Sequence, residues 1–193
     1  MKILYSFIQY IIMGSLQLVL GPMFSGKTTR LIQIYKTRNY IGKRVAVINY
    51  AEDVRYDSKM LSTHDHIMIP CIQLAKLTGF DCSQFDTILI NEGQFFDDLF
   101  YCVLEFVEKM DKEVFIFGLD GDYMRAKFGT ILDLIPHCNT VEKLSALCAN
   151  CRDGTLAHFS HRISKEKMQM VIGADNYIPL CRKCYNNEIE NTK

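Results

Sequence analysis

The sequence predicts an α/β protein, a parallel sheet flanked by helices, followed by a small C-terminal metal-binding module that carries a lid loop. Three observations lead there. Short apolar runs with strand character alternate with segments of helical period, an order that needs crossover connections and therefore parallel strands. A glycine-bearing turn, Gly21 to Thr28, joins the first such run to the first helical segment. Two Cys-x-x-Cys pairs then stand near the C-terminus, where the apolar runs shorten.

Taken in order, Leu16 to Leu20 reads as a buried-type strand closed by Gly21-Pro22, and Lys27 to Tyr40 carries Leu31, Ile34 and Tyr35 at helical spacing. Further strands are expected at Arg44 to Asn49, Thr87 to Ile90 and Val114 to Leu119, with an amphipathic helix from about Leu99 to Lys109. Tyr50 to Phe80 is irregular, with Thr63, His64, Asp65 and His66 in a polar cluster, and predicts a mobile loop or a hairpin. Val141 to Ala146 reads as a final strand, and from Cys148 onward short strands and turns follow. There is no internal repeat or low-complexity tract. The chain therefore divides near residue 145, into a core of residues 14–145 and a module of residues 146–193, with residues 1–13 as an N-terminal extension. That extension starts with a lysine and an apolar run, as a signal peptide does. Gln9 and two tyrosines interrupt the run, no small-residue cleavage site follows, and it is too short to span a bilayer. Met13 is an equally simple start, which makes the preceding residues dispensable.

With 193 residues and 49% hydrophobic content, the chain can bury a full core. Lys plus Arg equals Asp plus Glu at 22 each; that balance argues against a polyanion-wrapping protein or a membrane-surface binder, so any phosphate binding must be local. The paired cysteines point to metal ligation in a reducing compartment, hence the cytoplasm.

Gly21-Pro22-Met23-Phe24-Ser25-Gly26-Lys27-Thr28 fits G-x-x-x-x-G-K-[ST], follows a strand and opens a helix, the context that a phosphate loop requires. Gly21 and Gly26 let the backbone curl so that N–H groups, that of Ser25 among them, face phosphate oxygens. Lys27 is placed to reach the β and γ phosphates, and the Thr28 hydroxyl to ligate magnesium. A chance turn would need the strand, both glycines, the lysine and the threonine to coincide. The fold expectation thereby sharpens to a phosphate-loop NTPase-like (P-loop) core.

Glu92 ends the Thr87 to Ile90 strand, at the edge where open α/β sheets place ligands. Carboxylates there act as metal ligands or as general bases on an acceptor hydroxyl. Phe95 and Phe96 just beyond it would be odd on a solvated turn, whereas Asp97 and Asp98 read as solvated. Cys148, Cys151, Cys181 and Cys184 form two knuckles with 29 residues between them (152 to 180). Two such knuckles build a closed tetrahedral zinc site, a structural metal with no open position. Cys71, Cys82, Cys102 and Cys138 read as ordinary core or surface residues, and His64 and His66 as exposed loop histidines.

Together, "GPMFSGKTT", "NYAEDVRYDS", "STHD", "NEGQFFDD", "GLDGDYMRAKFG", "LCANC" and "GADNYIPLCRKCY" resemble, in order, the type II thymidine kinases, the zinc-containing family of cells and large DNA viruses. The resemblance runs from about Leu16 to Tyr185. It implies transfer of the γ-phosphate of ATP to the 5'-hydroxyl of thymidine, with deoxyuridine as a second substrate, thymidine triphosphate (dTTP) as feedback inhibitor, and a homotetramer. It implies no nucleic-acid or membrane partner. The position of Glu92 is implied to be the base and that of Arg55 an arginine near the transferred phosphate. Met23, Phe95, Leu119, Tyr123, Phe128 and Tyr177 match the nucleoside pocket, and Met168 to Tyr177 the lid that reads the base through its backbone. The apolar stretch Val114 to Leu119 and the helix from Leu99 are expected to offer surface for subunit contacts.

Three residues depart from the family pattern. Ile172-Gly173 stands where Gly-Gly is common, Tyr123 where many members have Phe, and Asn91 where an Asp usually helps to hold magnesium. Asn keeps a hydrogen bond and loses the charge, so the sequence predicts an active kinase with weakened magnesium affinity; the alternative is a catalytically impaired nucleotide-binding regulator.

Overall fold

The computed structural model describes residues 13–51, 60–63, 65–171 and 173–191; the N-terminal extension, Arg55, His64 and Ile172 lie outside them. Six strands form one sheet: β1 (Ser15–Leu20), β2 (Val45–Tyr50), β5 (Ile72–Leu74), β6 (Thr87–Ile90), β7 (Glu113–Gly118) and β8 (Thr140–Lys143). Their spatial order is β5-β2-β6-β7-β1-β8 and every pairing is parallel. All carboxyl ends therefore share one edge, and the segments after β1, β6 and β7 emerge side by side.

Strict alternation along the strands distributes side chains to the two faces. Leu16, Leu18, Ile88, Ile90, Val114 and Ile116 pack under the α-helix α2 (Leu99–Leu104) through Leu99 and Val103. Val19, Val47, Leu89, Phe115 and Phe117 face the opposite side, beneath Leu31, Ile32 and Ile34 of α1 (Lys27–Tyr40). A sheet buried on both faces explains why the strands read as continuous apolar runs. Each fully buried Leu or Ile contributes about 1.5–3 kcal/mol.

The periodicity-based elements are present with shifted ends. The helix expected over 99–109 is α-helical to Leu104 and widens into a π-helical turn, Glu105–Lys109. The irregular stretch holds a hairpin, β3 (Met60–Ser62) with β4 (Met68–Pro70), before edge strand β5. Val141 to Ala146 is not one strand. Residues 140–143 pair with β1, then Ala146–Leu147 (β9) leaves the sheet to pair with Leu156–Ala157 (β10).

Two other expectations are corrected. β7 lies between β6 and β1 with its apolar side chains buried, so it offers no surface for subunit contacts. Asp98 is a clamp: it accepts the backbone N–H groups of Leu77 and Thr78 (3.2 and 2.8 Å) and the Thr78 hydroxyl (2.7 Å), tying α2 to the loop before β6.

The C-terminal part builds a separate small core. Strands β11 (Phe159–Arg162) and β12 (Tyr177–Leu180) pair antiparallel, and α3 (Arg182–Asn191) follows. Ala146, Cys148, Ala157, Leu180, Cys181 and Tyr185 are buried together there.

Candidate active site

A cavity of about 350 Å³ opens at the carboxyl edge of the sheet. One wall is the turn after β1. Gly26, at φ 84°, opens α1, and no side chain caps that helix and no acidic residue lies in its first turn. Its N–H groups and partial positive charge thus point into the cavity, an arrangement suited to an anion. The Lys27 ammonium folds across the same turn, donating to the carbonyls of Gly21 (3.0 Å) and Pro22 (2.7 Å). Met23, Ser25, Gly26, Lys27 and Thr28 all line the cavity, while Gly21 lies buried behind them.

The facing wall is the tip of β6. Glu92 sits in the left-handed region at φ 52°, ψ 44°, a costly conformation for a residue with a Cβ and one concentrated at functional sites. This bend turns the carboxylate toward the cavity instead of continuing the strand. Beneath it, Asn91 is buried and donates Nδ2–H to Asn49 Oδ1 at 2.8 Å. Both asparagines line the cavity floor.

The apolar side is aromatic. Phe95 stands between Tyr50 and Phe128, with ring centroids 5.4 Å from each. Phe96 is completely buried against Tyr50, so the consecutive phenylalanines divide between cavity and core. Leu119, Phe128 and Tyr177 complete the wall, and Tyr123 closes its rim.

Arg162 organises the strap over this pocket. Buried at 5% exposure, it donates from Nη1 to the carbonyls of Glu166 and Met168, and from Nη2 to that of Gln169 at 2.9 Å. Nε and Nη2 also reach the Tyr177 hydroxyl (3.1 and 2.6 Å), which itself donates to the Val171 carbonyl at 3.1 Å. Its guanidinium lies 3.8 Å from the Tyr123 ring centroid, within cation–π range. Gln169 fastens the far side by donating to Asp122 Oδ2 at 2.8 Å. The Ser160 hydroxyl of β11 accepts the Met23 N–H at 2.9 Å, joining the phosphate-loop turn to the C-terminal part.

The four paired cysteines converge, with all sulfurs within 4.8 Å of one another. A tetrahedral zinc shell with bonds near 2.3 Å requires sulfur separations of about 3.8 Å, and Cys151 Sγ stands 3.8 Å from Cys181 Sγ and 3.5 Å from Cys184 Sγ. The Cys181 N–H points at Cys148 Sγ (3.3 Å), the kind of donor that steadies a metal-bound thiolate. These residues fit zinc. Four protein ligands would leave such an ion no open position, the arrangement of a structural site.

The thymidine kinase family model matches residues 14–185. The chain is 38% identical over 180 residues to thymidine kinase a of Arabidopsis thaliana, covering 89% of this chain and 75% of that one. It is 39% identical over 179 residues to the cytosolic thymidine kinase of Bos taurus, covering 89% and 72%, and 39% over 178 residues to the thymidine kinase of Yaba monkey tumor virus, covering 89% and 94%. The chain belongs to the thymidine kinase family.

Within this thymidine kinase fold, Met23, Phe95, Leu119, Tyr123, Phe128 and Tyr177 all line this one cavity together with Glu92 and the phosphate-loop turn, whereas Met168 of the expected lid does not. Gln94, Asn49, Arg162, Asp122 and Ser160 escaped the sequence reading. Asn49, Ser160 and Gln94 are joined to Asn91, Met23 and Leu119 across 25 to 137 positions; Arg162 and Asp122 also have partners within seven positions, but these are backbone groups, which no side-chain pattern announces.

Proposed function

We propose that the chain is an ATP-dependent thymidine kinase that phosphorylates the 5'-hydroxyl of thymidine, and also of deoxyuridine. The observation that carries this reading is the opposition of the Gly21–Thr28 turn and Glu92 across a cavity of about 350 Å³ walled by Phe95, Leu119, Phe128 and Tyr177, a volume within the usual range for small-molecule sites. The phosphate-loop N–H groups and Lys27 hold the ATP phosphates, with Arg55 beside the transferred group. Thr28 and Asn91 are the residues that hold magnesium, which when bound neutralises charge developing on the phosphoryl oxygens. Glu92 accepts the proton of the 5'-hydroxyl as its oxygen bonds to the γ-phosphorus and the bond to the ADP oxygen breaks, giving dTMP and ADP. Phe95 presents an aromatic face to the thymine, and the strap anchored by Arg162 closes over the base.

The same reading divides the chain into residues 1–13, 14–145 and 146–193, makes it a cytoplasmic homotetramer, and gives dTTP the role of feedback inhibitor. Family membership lends no support to an impaired regulator. Among the described residues no helix is long and apolar enough to cross a membrane.

The test is thymidine phosphorylation by the zinc-loaded protein, titrated over magnesium beside Asn91→Asp. Asn49 can turn its amide to donate to the new carboxylate, so the variant folds. Both proteins turn over, and Asn91→Asp reaches half its maximal rate at lower magnesium. A wild type inactive at every magnesium level, with turnover restored by Asn91→Asp, overturns the reading.

A further inference from the structure

We infer that Gln94 is a positioning residue that ties the Glu92 carboxylate to the wall of the nucleoside pocket. This rests on Glu92 being the base, as proposed above. Gln94 is buried at 3% exposure and does not line the cavity. Its amide bridges two strand tips: Nε2 donates to Glu92 Oε2 at 2.7 Å, and Oε1 accepts the Leu119 N–H at 3.0 Å. Leu119 is the first residue after β7 and lines the pocket. One rigid planar group therefore sets the distance between the base and the surface against which the nucleoside rests.

The surroundings are shaped to it. A Cβ at Gly118 would fall 2.4 Å from Gln94 Oε1, and one at Gly129, which lies at φ 59°, would fall 2.3 Å from the Gln94 carbonyl oxygen. A side chain at Gly118 would push the amide off its partners, and one at Gly129 would displace the Gln94 backbone that carries it. The left-handed bend at Glu92 brings the carboxylate back over Gln94, so the strained backbone and the amide act together. A base misplaced by a fraction of an ångström or freed to rotate loses rate without losing substrate.

Two variants separate the ends of the bridge. Gln94→Glu keeps the volume and can still accept from Leu119, but sets a buried carboxyl against that of Glu92, so that the pair keeps a proton and Glu92 is no longer a free base; Gln94→Met removes both bonds. The measurements are kcat, KM and calorimetric thymidine affinity, beside Glu92→Gln and the Glu92→Gln/Gln94→Glu double variant. Gln94→Glu is expected to lower kcat by about 100-fold, the lower range of a general-base contribution, with thymidine affinity unchanged. The double variant is expected to be no slower than Glu92→Gln alone, because Gln94 acts only through Glu92. Should Gln94→Glu fail to fold, the decision passes to Gln94→Met, for which the same loss of kcat is expected. Wild-type kcat in a folded Gln94 variant, or losses that multiply in the double variant, overturn the inference while the base assignment stands. Wild-type kcat in Glu92→Gln instead overturns the base assignment, and this inference with it.

Discussion

Arg162 uses all five N–H groups of its guanidinium inside the protein, on Glu166, Met168, Gln169 and twice on Tyr177. The planar fork can satisfy divergent carbonyls at once; an ammonium of similar reach cannot. Arg162→Lys is therefore expected to leave strap carbonyls unpaired, costing about 3 kcal/mol, and to raise the thymidine KM about tenfold or more while the ATP KM stays put. Steady-state kinetics, with amide exchange over residues 166–171, check this; an unchanged thymidine KM would show that the strap holds without its anchor. Such a residue is invisible in a one-dimensional reading. The phosphate-loop residues, Glu92 and the cysteines were legible because spacing within a few positions defines their chemistry. Arg162 and Gln94 are ordinary letters until the fold brings their partners in.

Among elements, the docking of α1 on the sheet turns on Glu113 at the start of β7. Arg38 forks onto it through Nη2 and Nε (2.7 and 2.8 Å), Thr87 adds a hydroxyl at 2.8 Å, and the Arg38 guanidinium also lies over Phe115. Burial alone would raise the Glu113 carboxyl, but the Arg38 and Thr87 bonds hold it below its ordinary value of 4.5. A depressed folded-state value means stabilisation that is complete above 4.5 and disappears as pH falls through the lower value. Glu113→Gln is expected to cost about 1–2 kcal/mol near pH 7, discounted for the solvent that reaches both side chains. Melting temperatures of variant and wild type should converge as pH falls below the lowered Glu113 value, and a gap constant over pH would exclude the ionic origin. Elements were legible where one periodicity ran unbroken, as in β1, α1 and β6. They were not where the chain changes partner without changing composition: nothing in the letters of 141–147 announces that Leu144 still bonds Leu20 at 2.8 Å while Ala146 already pairs with Ala157.

At the scale of the molecule, the sheet and the cysteine-centred part keep separate apolar clusters. Chelating the metal is therefore expected to abolish thymidine binding while the α/β core keeps its far-ultraviolet dichroism and binds ATP; calorimetry with each ligand before and after chelation checks this. Loss of both ligands together would mean that the two parts unfold as one. The link between them is short. Tyr185, the residue after Cys184, is fully buried and donates its hydroxyl to the Tyr123 carbonyl at 2.6 Å, on the rim of the cavity. A thiol converted to a sulfenic or sulfinic acid at that knuckle would thus announce itself at the Tyr123 rim and not at the phosphate loop. Peroxide damage should read kinetically as an enzyme that has lost its grip on the nucleoside while its hold on ATP persists.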